Sequence, residues 1–157
     1  MSIKPDTISV LNDEQKEMLF FIYQEEKMAR DVYVTLAKTY KNETMFRVMQ
    51  IAEDKHLECA KGLCDIYGVD RSSVDEDLIG ELESPLLKTL YDVYIEQGKS
   101  SLRDAIEIAE FMEDTHKDMV EHASVGMPSD VVSVYEKLKK GSLNYPDTFE
   151  RVIYRAA

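Results

Sequence analysis

In the stretch Phe46-Arg-Val-Met49-Gln-Ile-Ala-Glu53-Asp-Lys-His56-Leu-Glu-Cys-Ala60-Lys-Gly-Leu63-Cys-Asp-Ile-Tyr67, the residues Phe46, Met49, Glu53, His56, Ala60, Leu63 and Tyr67 step by three and four without a break. Side chains so spaced share one face of an α-helix, and at about 100° per residue Glu53 and His56 fall within about 30° of the centre of that face. A later stretch repeats the pattern: Leu102, Ala105, Ala109, Met112, Glu113, His116, Val120 and Ala123 form a stripe in which Glu113 and His116 again point inward. Two Glu-x-x-His pairs are therefore expected inside a helical bundle.

Punctuation along the chain sets the helix ends. Asn12-Asp-Glu-Gln15 reads as a capping box that opens a first helix running to about Lys41. Asn42 is placed to cap the second, which ends at Tyr67-Gly68. An acidic connector from Val69 to Glu83 follows, and Ser84-Pro85 starts a short third helix that Gly98 stops. Ser100 or Ser101 caps a fourth helix to about Ala123, Gly126-Met-Pro128-Ser precedes a fifth that ends at Lys139-Lys-Gly141, and Pro146 onward reads as a last helical segment. No segment shows period-two alternation. The expected fold is all-α, an antiparallel helical bundle with extra short C-terminal helices, in a single domain spanning 1–157.

Composition narrows the function. The 31 Asp and Glu against 19 Lys and Arg give a net charge of −12, a field that repels nucleic acid and anionic lipid and gathers cations. The N-terminus carries no signal-like apolar stretch and no run approaches the roughly 20 apolar residues that span a bilayer, so a cytoplasmic protein without a membrane partner is expected. Cys59 and Cys64 are five apart, which suits neither a disulfide nor a Cys-x-x-Cys metal site.

A carboxylate in a core costs several kcal/mol unless it is paired or bound to a cation, and neutral imidazole is a common metal ligand. The i, i+3 spacing sets one carboxylate and one imidazole a turn apart on the same face. Glu occupies 17 of the 157 positions, so Glu three residues before two or more of the three His arises by chance at about 3 to 4%. The competing reading is a hydrogen-bonded Glu and His couple with no metal. His122 falls on the polar side of its helix. The first helix offers Glu25 and Glu26: Glu26 fits the stripe Ile22, Ala29, Tyr33, Leu36, Tyr40, while Glu25 lies on its other edge beside Phe21, Met28 and Val32. Periodicity leaves that choice open.

The run Glu26-Lys-Met-Ala-Arg-Asp-Val-Tyr33 followed by Ile51-Ala-Glu53-Asp-Lys-His56 resembles the first half of a rubrerythrin-related, ferritin-like di-iron protein. The match is to a ferritin-like family of bacteria and archaea formerly classed as a domain of unknown function, whose pattern also covers Leu90-Tyr-Asp92, the Ser101 to Glu113 helix, and Val134-Tyr135 through Gly141-Ser-x-Asn144. The resemblance implies metal ligands Glu26, Glu53 and His56 from one half and Glu113 and His116 from the other, and it favours Glu26 over Glu25. Two departures stand out. The ferritin-like scheme has four carboxylates and two histidines, whereas only three carboxylates occupy core positions here, since Asp92, Glu96 and Glu110 point aside. Tyr145 also stands where the family has His.

By that resemblance the cofactor is iron, as one or two ions, with manganese or zinc as substitutes, and the activity is ferrous iron oxidation or peroxide reduction at a carboxylate-bridged di-iron site. Oxygen or peroxide and an external electron donor are the expected partners, and a homodimer the expected assembly. Tyr33 and Tyr145 are candidates for a phenolate ligand or for core packing. The alternatives are a bundle that sequesters metal or holds it structurally without turnover, and an interaction module with no metal.

Overall fold

Asn12 opens the first helix as its sequence predicts: its side chain accepts from the Gln15 amide at 2.8 Å, and Gln15 returns a bond to the Asn12 amide at 2.9 Å. The computed structural model describes residues 10–142, and within them the chain forms α1 (Asp13–Thr39), α2 (Met45–Ile66), α3 (Pro85–Gly98), α4 (Leu102–Ser124) and α5 (Ser129–Ser142), with no strand. Ser84 and Ser101 cap α3 and α4 through their side chains. Asn42 does not cap α2. The chain reverses over 40–44 in a turn closed by the Glu43 amide on the Tyr40 carbonyl, so α1 ends earlier than expected, and Thr44 enters α2 without a side-chain bond. The helix expected from Pro146, and Tyr145, lie outside the described residues.

α1 packs most extensively along α2 and also meets α3 and α4, while α5 lies on α4 and reaches α2. The ring α1, α2, α5, α4 thus surrounds a common interior, with α3 set across α1 and α4. Over Ile22 to Ala29 every residue of α1 is buried, because neighbours cover it on all sides. The connector between α2 and α3 supplies one of those covers. Buried Lys27 donates to Asp31 at 2.6 Å and to the Leu78 and Glu81 carbonyls at 2.8 Å, and Asp31 also accepts from Arg30 and from the Gly80 amide. Gly80 has φ of +80° and stands against the Tyr91 ring, where a Cβ would collide.

The apolar core falls into two clusters. One holds Met28 to Leu36 of α1, Met45 to Met49 of α2 and Ala105 to Met112 of α4; the other holds Leu19 to Tyr23, Leu57 to Cys64, and Val120 with Ala123 of the same helices. Between them, on all three helices, runs a polar layer of Glu25 and Glu26, Glu53 and His56, and Glu113 and His116. No helix among the described residues is long and apolar enough to cross a membrane.

Candidate metal centre

Each helix delivers its donors to that layer by its own period. The stripes of α2 and α4 are buried as the spacing predicts, with Glu53 at 1%, Glu113 at 4% and His116 at 2% exposure, and only His56 reaches toward the surface. His122 is exposed, as is Cys59, and both cysteines are free thiols. On α1, Glu25 and Glu26 are both buried.

The donor atoms converge as two groups that share one residue. Glu25, Glu26 and His116 form the first, and Glu26, Glu53 and His56 the second; within each group one donor atom per residue lies within 4.8 Å of the others. His116 Nδ1 lies 2.5 Å from Glu25 Oε2, and its Nε2 lies 3.1 Å from Glu26 Oε1. On the other side His56 Nδ1 is 3.2 Å from Glu53 Oε2 and 3.8 Å from Glu26 Oε2. The two oxygens of Glu26 therefore face different histidines, whose rings lie nearly parallel with centroids 6.5 Å apart. Glu113 stands outside both groups but within their field, and its Oε1 accepts from the Tyr33 hydroxyl at 2.7 Å.

Crowding carboxylates out of water forces protons into the site. Burial, with the negative charges of Glu53, Glu25 and Glu113, pushes the Glu26 carboxyl well above the usual carboxylate range. Burial alone would raise Glu53 too, but hydrogen bonds with His56 and Glu26, with the charges of both histidines, hold it below. Burial would lower His116, yet Glu25 beside it, then Glu53 and Glu113, push it up to about 9. His116 Nε2 is buried without a directed hydrogen bond. Buried polar atoms are ordinarily satisfied, so this nitrogen is one that a cation could satisfy. Hard carboxylate oxygens mixed with imidazole nitrogen suit divalent iron, manganese or zinc.

Of the ligands expected from sequence, Glu26, Glu53, His56 and His116 meet in these groups and Glu113 flanks them. Periodicity leaves the choice between Glu25 and Glu26 open and the resemblance favours Glu26, yet Glu25 makes the shortest contact of the layer. Weighing one face of α1 against another presumed a helix buried on one side, whereas α1 is buried all round at this level. With Asp92 and Glu96 of α3 exposed and Glu110 only half-buried, Glu25 joins Glu26, Glu53 and Glu113 as the fourth buried carboxylate of the layer.

Residues 15–156 match the model of a family described as an uncharacterized protein domain, DUF2202. The uncharacterized protein MJ0754 of Methanocaldococcus jannaschii is 33% identical over 144 residues, which are 91% of this chain and 77% of the relative. The crystal structure of hypothetical protein MJ0754 superimposes with a TM-score of 0.88 at 30% sequence identity, over 99% of this chain and 87% of the other.

Proposed function

The chain belongs to the DUF2202 family, and we propose that it works as a ferritin-like di-iron oxidoreductase that oxidises ferrous iron with oxygen or peroxide. One observation carries the reading: Glu26 turns one oxygen to His116 and the other to His56, the disposition of a carboxylate shared by two cations. Glu25 with His116 would hold one ion and Glu53 with His56 the other, and Glu113, anchored by Tyr33, adds the fourth carboxylate of the ferritin-like set.

Iron bound there supplies one-electron redox chemistry at each ion. The chain supplies the rest. The raised values of Glu26 and His116 favour their protonated forms without metal, and those protons would leave as cations bound, which would keep the buried charge balanced. The apolar clusters on either side keep bulk water out of the layer, which strengthens each charge interaction inside it. Electrons come from the ferrous iron or from a separate donor, because no Cys-x-x-Cys pair exists in the sequence.

The test is to load anaerobic protein with ferrous iron and then admit oxygen or peroxide. The reading expects consumption of the oxidant and growth of near-ultraviolet ferric absorbance, both suppressed by His56→Ala. Stoichiometric binding with oxidation no faster than in buffer would replace it with a sequestering or structural-metal role.

A further inference from the structure

We infer that Gly141, near the C-terminal end of α5, is a positioning residue for the His56 side of the centre. The inference rests on the metal reading above. A Cβ built on Gly141 would overlap His56 Nε2 and Cε1, so at this point the α5 backbone lies directly against the imidazole edge. Glycine near a helix end usually serves a left-handed cap. That reason does not apply here: the positive-φ glycines among the described residues are Gly68, Gly80 and Gly126, and Gly141 is not one of them. What the position requires is the absence of a side chain.

The contact matters because of what the other edge of the ring does. His56 Nδ1 faces Glu53 and Glu26, so the imidazole is held between the α5 backbone behind it and the two carboxylates in front. His56 is also the least buried of the converging donors, with its side chain 13% exposed against 3% for His116. The inner pair, Glu25 and His116, is fixed by its own 2.5 Å contact, whereas the outer ring depends on α5 closing over it. A methyl group at 141 must either lift α5 or turn the ring away from Glu26. The two ion positions therefore differ: the inner tolerates a change at Gly141 and the outer does not.

The experiment compares Gly141→Ala with Gly62→Ala, a helical glycine whose added Cβ meets nothing within 4 Å. Anaerobic titration with Co(II) or Fe(II) is expected to give two bound ions in wild type and in Gly62→Ala. In Gly141→Ala one ion should bind at least about tenfold more weakly, with a Co(II) visible spectrum altered toward loss of an imidazole, while the other keeps its affinity. In metal-free protein the His56 ring proton resonances should shift in Gly141→Ala and not in Gly62→Ala. On a His56→Ala background Gly141→Ala should add nothing, and should it fail to fold alone, the double variant should fold. Unshifted His56 resonances, or two ions bound with native affinity and spectrum in Gly141→Ala, would overturn the inference. Shifted resonances in a protein that binds neither metal would instead overturn the metal reading and leave the contact standing.

Discussion

Glu25→Ala separates the three-dimensional site from the one-face reading of α1. Glu25 Oε2 and His116 Nδ1 are 2.5 Å apart with side chains 1% and 3% exposed, so the pair is withdrawn from water. Removing one partner of such a pair costs about 3–5 kcal/mol, because the other charge stays buried. That loss is expected for the metal-free protein, read as a shift in urea midpoint at unchanged m-value. In chelator competition with Co(II) or Fe(II), loss of a group that orients a metal-binding histidine weakens binding by about 10- to 100-fold. Glu25 is itself a donor, so the upper part of that range is expected. A variant with native stability and native affinity for both ions would make Glu25 a bystander and restore the preference for Glu26 alone.

Proton linkage gives a second expectation. The His116 value is raised, so its contribution to metal-free stability is complete below about pH 6.5 and fades as pH rises through about 9. Metal must displace that proton and the one on Glu26, so affinity should rise with pH across this window and loading should acidify a weakly buffered solution; flat affinity without proton release would count against it. Gly62→Ala lies inside α2 with open space around the added methyl group and should stabilise by about 0.5–1 kcal/mol in thermal or urea melts. Destabilisation there would mean that α2 is packed differently around that glycine. Lys27→Met removes a buried cation that ties the connector to α1 and leaves Asp31 short of a partner. A loss of about 3–5 kcal/mol with faster proteolysis between Val69 and Glu83 is expected, and native protease resistance would refute that tie.

Much of this architecture is legible in the sequence because local signals and burial agree. The capping box at Asn12, the Ser84-Pro85 start and the unbroken stripes of α2 and α4 each specify a helix, and the stripes bury Glu53, Glu113 and His116. Asn42 misled because a good capping residue is equally at home in a turn, and the tight reversal before Thr44 used it there. The choice between Glu25 and Glu26 was not legible, since periodicity ranks faces only where one face meets water. Nothing in the periodicity signals that the connector folds over Lys27, Arg30 and Asp31, where Lys27 and Asp31 end fully buried. Gly141 carried no periodic signal at all, because its role is the space it leaves for a ring on another helix.

The most direct test of a shared Glu26 is a crystal structure of the iron-loaded protein with anomalous scattering recorded on either side of the iron edge. Two peaks are expected, one on each side of the Glu26 carboxylate, with a nitrogen of His116 about 2.0 to 2.3 Å from one and a nitrogen of His56 at the same distance from the other. No peak in this layer, with both histidines still bonded only to Glu25 and Glu53, or a lone peak that Glu26 does not touch, would contradict the shared-carboxylate centre.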